Sequence, residues 1–139
     1  MAIELTRTVG FRAVHRLYRN DWSPERNRAA FGPLSDPPGH PHDYLCAVTV
    51  TGPLDPAMGM VVDLVELDGI LRDEIVTPFE GRNLNEEVPE LTSGTLPTCE
   101  SLAVLVYRRV AARLPAGVRL ARVRVAEDAT LHADCTGLP

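Results

Sequence analysis

The chain has four histidines, and three of them have spacing that can do chemistry: His15, then His40 and His42 in the run Pro38-Gly39-His40-Pro41-His42-Asp43-Tyr44. An H-x-H pair entering a strand projects both imidazoles to one side, because strand side chains alternate faces. A third imidazole, from the strand-like segment Gly10-Phe11-Arg12-Ala13-Val14-His15, completes a three-nitrogen set. Three neutral imidazoles with a fourth position open are the ligand set of a catalytic zinc ion, whereas structural sites are closed by four protein ligands. Such a metal polarises a carbonyl or acidifies a bound hydroxyl. Spacing alone leaves a second reading standing, two surface-loop histidines and an unrelated strand histidine, because H-x-H is common.

The elements that must position these side chains follow from periodicity. Near-alternation from Ile3 to Leu17 predicts a long first strand with one irregularity, and Tyr44 to Gly52, which ends at a Gly-Pro turn, predicts its antiparallel hairpin partner. Between them, residues Tyr18 to Gly39 are rich in Pro, Asn, Asp and Gly and have no sustained period, which predicts a long loop; such excursions are usually functional. Asp63 is the predicted N-cap of a helix running to about Val76, with Leu64, Leu67, Ile70 and Leu71 at helical spacing. Thr77 to Leu96 reads as a second polar loop. Thr98 then caps a helix over Cys99 to Leu114, with Leu102, Val106 and Val110 on one stripe. Val118 to Ala126 and Thr130 to Cys135 read as the last two strands. The expected fold is α+β, in the order ββααββ, with two helices on one face of a four-stranded antiparallel sheet.

Composition narrows the function. One domain spanning residues 1–139 fits the length, and 45% hydrophobic residues with a mean hydropathy of −0.05 predict a soluble globular chain. A net charge of −5 and a pI near 5.3 argue against a nucleic-acid partner. All fourteen basic residues are arginine, so a Schiff-base lysine and a P-loop are both excluded. Cys46, Cys99 and Cys135 form no C-x-x-C pair and read as reduced thiols, with Cys46 and Cys135 in the core. No signal core and no membrane-length apolar run is present, so a cytoplasmic location is expected.

Around the histidines the pattern becomes specific. Phe11-Arg12-Ala13-Val14-His15-Arg16-Leu17, Asn27, Phe31-Gly32 and Gly39 to Tyr44 resemble the 6-pyruvoyl-tetrahydropterin synthase family, which includes the 6-carboxy-tetrahydropterin synthases of queuosine biosynthesis. The likeness continues through Gly59 to Leu64, Asn83-Leu84-Asn85, Pro97-Thr98-Cys99-Glu100 and Val123 to Glu127, in family order and over nearly the whole chain. The resemblance implies the tunnelling fold, in which subunits of this element order join their sheets into a barrel, typically a homohexamer of two trimers with active sites at subunit boundaries. It implies zinc as cofactor, held by His15, His40 and His42. The implied substrate is a pterin of the 7,8-dihydroneopterin triphosphate type. Glu127 then matches the glutamate that anchors the amino-pyrimidine edge, which a carboxylate suits because it accepts two parallel N–H bonds. Thr98 matches the adjoining pterin-contact segment, and Cys99 is expected to line the same pocket.

The proton-transfer positions depart from the family together. The cysteine that precedes H-x-H falls on Leu34 in the animal-type spacing and on Asp36 in the carboxy-type spacing. The Asp-His pair ahead of Asn-Leu-Asn falls on Glu80 and Gly81, and the usual H-G-H is H-P-H. Asp36 is therefore a candidate carboxylate base, Glu80 a candidate acid, and His132, near Glu127 and Asp134, a candidate substitute histidine. Each has a plain alternative: a turn aspartate, a solvated loop charge, a structural strand histidine. Arg16, Arg19, Arg26 and Arg28 either receive a triphosphate or form a solvated basic surface. Three functions follow: a zinc-dependent lyase or synthase acting on a pterin side chain; an enzyme of the same fold using zinc for an aldol, cyclisation or epimerisation step; or a non-catalytic pterin- or metal-binding protein.

Overall fold

The computed structural model describes residues 2–139. Strand β1, Glu4–His15, and strand β2, His40–Thr51, pair antiparallel over their whole length, from Glu4 opposite Thr51 to His15 opposite His40. Strand β3, Arg119–Asp128, adds to β2, and β4, Leu131–Cys135, adds to β3, giving the order β1-β2-β3-β4 with every pair antiparallel. Period-2 alternation turns Phe11, Ala13, Tyr44, Cys46, Val48, Val123, Val125 and Cys135 to one buried face. The helices α2, Leu64–Leu71, and α3, Cys99–Ala111, supply Leu67, Ile70, Leu71, Leu102, Val106 and Val110 to the same core.

Phe11 and Tyr44, opposite each other in the β1–β2 register, stack with centroids 4.9 Å apart, and Phe79 packs on Phe11 at 5.2 Å. Such pairs add about 0.5–1.5 kcal/mol each beyond the area they bury. Phe11 and Tyr44 lie two to four residues from the histidines on the same faces of the same strands, so the ribbon is held rigid where it carries the site.

The expected ββααββ order stands, with three refinements. The loop expected over Tyr18 to Gly39 contains a helix, α1, Pro24–Phe31. Ser23 caps it by accepting from the Arg26 amide, Pro24 occupies its first turn, and Gly32, at φ 60°, ends it. Its sequence has no apolar stripe, and Asn27 is its one buried residue, so periodicity could not reveal it. The helix expected to run from Asp63 to Val76 does begin at Asp63, whose carboxylate accepts from Val65 and Glu66. It leaves α geometry after Leu71 for a wide π turn, Arg72–Val76, which keeps Ile75 in the core before Thr77–Phe79 buries Phe79. The polar stretch Thr77 to Leu96 contains two single helical turns, Leu84–Glu87 and Pro89–Thr92, pinned by Leu84, Val88 and Leu91. Among the described residues, no helix is long and apolar enough to cross a membrane.

Candidate metal centre and its cleft

Strand register builds the site. His15 and His40 are direct cross-strand partners, and His42, opposite Ala13, lies two residues further along the same face of β2. Ring centroids stand 4.7 Å (His15–His40), 4.9 Å (His15–His42) and 5.1 Å (His40–His42) apart. One ligand atom from each ring lies within 4.8 Å of the others. Gly39 permits this pairing. A Cβ there would lie 2.6 Å from the His15 carbonyl oxygen, and its φ of 109° is one that L side chains rarely adopt.

The start of α3 fixes the innermost ring. His15 is 3% exposed, and its Nδ1 lies 2.7 Å from the carbonyl oxygen of Pro97, the residue before the Thr98 cap. A carbonyl only accepts, so Nδ1 carries the hydrogen and Nε2 presents a lone pair to the cleft. The buried Tyr44 hydroxyl also lies 3.2 Å from Nδ1. Burial lowers the His15 pKa to about 4, and it lowers that of His40 with help from the neighbouring His42. Both rings are therefore neutral at pH 7, the state a metal requires.

Glu127 lies against the three imidazoles. Its Oε2 lies 3.1 Å from His42 Nε2 and 3.5 Å from His15 Nε2, with the side chain 15% exposed. The lone pair of His15 Nε2 faces a carboxylate oxygen, and two acceptors so placed repel unless a cation lies between them. Three imidazole nitrogens with an adjacent carboxylate fit a divalent ion of the zinc type, and the donated Nδ1–H of His15 is the outer-shell hydrogen bond such ligands carry. Glu127 reaches this position by alternation, two residues after Val125 on the same face of β3, and a β-bulge adds its neighbour. The β3–β4 register shifts between Ala126 and Asp128, so Glu127 and Asp128, although consecutive, both line the cleft.

That cleft has a volume of about 430 Å³. Beside the histidines and Glu127 it is lined by Thr98, Cys99, Glu100 and the leucines Leu17, Leu34 and Leu131. Thr98 is also the cap of α3, accepting from the Ser101 amide, so one residue both caps the helix and lines the cleft. Burial, then the nearby Glu127 charge, pushes the Cys99 thiol up to about 11, so it is neutral and no base. Cys46 and Cys135 are buried in the core.

Three expected proton carriers stand elsewhere in the protomer. Asp36 lines a neighbouring pocket and forms a 2.6 Å ion pair with Arg28, while Leu34, two residues before it, faces the cleft. Glu80 accepts from the Arg12 amide at 2.7 Å, and the Gly81 amide donates to the Arg12 carbonyl, so both hold the outer edge of β1. His132 pairs with Ala126 in β4 and is exposed on the helix-free face of the sheet, opposite the face that carries the imidazoles. Sequence reasoning missed Glu100. Its carboxylate makes no hydrogen bond or ion pair among the described residues, and its signal was its place in Thr98-Cys99-Glu100 at a helix start beside the cleft.

A family profile described as 6-pyruvoyl tetrahydropterin synthase matches residues 4–137. The human 6-pyruvoyl tetrahydrobiopterin synthase is 38% identical over 124 residues, covering 89% of this chain and 84% of the human one. The Drosophila melanogaster protein of that name is 33% identical over 123 residues, covering 88% and 73%. Among solved structures, the Caenorhabditis elegans 6-pyruvoyl tetrahydropterin synthase superposes with a TM-score of 0.89 at 27% identity, covering 99% of this chain and 97% of that one. The Plasmodium vivax enzyme superposes at 0.67 with 11% identity, covering 97% of both, a likeness of fold.

Proposed function

Because the chain belongs to the 6-pyruvoyl tetrahydropterin synthase family, we propose that it is a zinc-dependent lyase acting on the side chain of a reduced pterin related to 7,8-dihydroneopterin triphosphate. The observation that carries this reading is the convergence of His15, His40, His42 and Glu127 in one cleft. His15, His40 and His42 would hold the zinc, which would supply a Lewis acid for a side-chain hydroxyl or carbonyl. Glu127, the carboxylate against the histidines, takes the proton released there. Glu100, with both oxygens free at the cleft wall, accepts the paired N–H groups of the amino-pyrimidine edge, and Thr98 adjoins it. The sequence resemblance had given Glu127 the anchoring role; its contact with His42 favours the metal end of the cleft. Asp36, Glu80 and His132 serve this reading only if a second subunit brings one of them to the cleft.

Assembly belongs to the same proposal. The free edge of β1 between Glu4 and Gly10 and the free edge of β4 are each unpaired in the sheet, and edges of this kind invite pairing between copies. A homohexamer in which sheets close into barrels places each cleft beside a neighbour and suits a cytoplasmic enzyme. Sedimentation at several concentrations reads the state.

A second reading rests on Leu34, which fills the wall where the animal-type spacing puts a cysteine. In that reading the protein binds zinc and a pterin-like ring but performs a different step, or none. One experiment separates the two: zinc-loaded protein incubated with 7,8-dihydroneopterin and with its triphosphate, products followed by mass spectrometry. Conversion of either supports the lyase. Both unchanged at full zinc occupancy removes it and leaves the second reading.

A further inference from the structure

Against the three imidazoles packs a buried tyrosine whose hydroxyl has no evident part in the core. Tyr44 follows His42 by two residues on the same face of β2 and is 1% exposed. Its ring centroid stands 5.6 Å from that of His42 and 6.0 Å from that of His15, nearly perpendicular to both rings. The same ring stacks on Phe11 at 4.9 Å. A phenylalanine would make all of these contacts. The hydroxyl is what phenylalanine lacks, and burying a hydroxyl is costly unless it is hydrogen-bonded. Its one hydrogen-bond partner among the described residues is His15 Nδ1, at 3.2 Å.

His15 Nδ1 therefore serves two acceptors. It donates chiefly to the Pro97 carbonyl at 2.7 Å, and the phenol oxygen accepts a weaker share of the same hydrogen. The carbonyl belongs to the segment entering α3, whereas the phenol belongs to β2, the strand that carries His40 and His42. Two acceptors in different directions limit rotation of the ring about its own axis, which a single acceptor does not. A cation on Nε2 draws electron density from the imidazole and makes Nδ1–H a stronger donor, so both bonds tighten when the site is filled. Tyr44 and His15 are buried within one chain, so a neighbouring copy at the cleft mouth leaves these contacts in place.

We propose that Tyr44 is a positioning residue of the metal centre, its hydroxyl orienting the His15 imidazole toward the ion shared with His40 and His42. The role presupposes that these three histidines hold zinc, and it is independent of which pterin binds. The test compares the unaltered chain with Tyr44→Phe, which keeps the ring and its stacking and removes the oxygen alone. Zinc affinity, read by chelator competition, falls about tenfold, the low end for an outer-shell partner because the Pro97 carbonyl remains. Cobalt bound in place of zinc gives visible absorption bands, which zinc with its filled d shell lacks, and these bands shift in Tyr44→Phe. Phe11→Leu loosens the stack without touching the hydroxyl; it lowers the Tm of the metal-free protein and leaves the cobalt bands unmoved. Zinc affinity and cobalt bands unchanged in Tyr44→Phe overturn the proposal and leave the zinc centre standing. Bands that move as far in Phe11→Leu as in Tyr44→Phe also overturn it, since packing alone would then orient the ring. An unaltered chain that binds neither ion removes the proposal together with the zinc centre it rests on.

Discussion

Strand β1 serves two regions of the molecule that differ in kind. Its inward face carries His15 into the cleft, while its outer edge, from Arg12 to Val14, is held by the segment Glu80–Asn83. The first region is fixed by strand register: shift the β1–β2 pairing by one residue and the imidazoles leave one another and the cleft. The second is a turn held by backbone contacts, and there the positions that the sequence resemblance assigns to an Asp-His pair hold Glu80 and Gly81. The side chains that strand pairing places face the cleft, and those that this turn carries serve the backbone of β1.

The contrast can be broken most severely at the ligands. His42→Ala lowers zinc affinity by at least about 100-fold, since it removes a direct ligand and exceeds the cost of losing an outer-shell partner; chelator competition reads it. Glu127→Gln keeps zinc occupancy, measured by elemental analysis, but cuts pterin turnover by about 10²–10⁴-fold, the contribution of a positioned base. Retained turnover in that variant removes Glu127 from proton transfer. Gly81→His, which restores the family residue, costs about 1–2 kcal/mol and lowers Tm, because Gly81 sits at φ 71° where an L side chain is strained. Glu80→Ala costs about 1 kcal/mol by freeing the Arg12 amide, and leaves zinc affinity unchanged. Asp36→Ala is the smallest, with turnover changed less than about twofold, because its carboxylate faces Arg28 in another pocket. A large loss there returns the base to Asp36 and draws the loop into the cleft.

Much of this was legible in the sequence, and the remainder was hidden for physical reasons. The two long strands, both main helices and the three histidines follow from alternation, capping residues and the H-x-H spacing. Helix α1 was invisible because its stability comes from the Ser23 cap, Pro24 and a buried Asn27 rather than from an apolar stripe. Asn27 accepts from the Arg19 amide and donates to backbone carbonyls of Arg19 and Ser23, contacts no pattern encodes. The Pro97 carbonyl that orients His15 lies 82 residues from it and is a backbone group, without identity in the sequence. Glu80 looked like a proton carrier by alignment with its family position, yet its partner is a main-chain amide. Glu127 was found, but the bulge that brings Asp128 to the same cleft was not, because an extra residue at the end of a strand leaves the hydrophobic alternation intact.

That bulge has an evolutionary side. A regular strand delivers alternate residues to one face, so new chemistry on that face ordinarily requires substitutions two apart. With one surplus residue at the end of β3, two adjacent positions address the same cavity. Deleting either would return the strand to strict alternation and leave one carboxylate on the cleft, with the core pairs Val123–Cys135 and Val125–Ala133 undisturbed. A single-codon change there re-equips the cleft while the fold stays as it is, which makes this corner of the sheet the cheapest place for the family's chemistry to diverge.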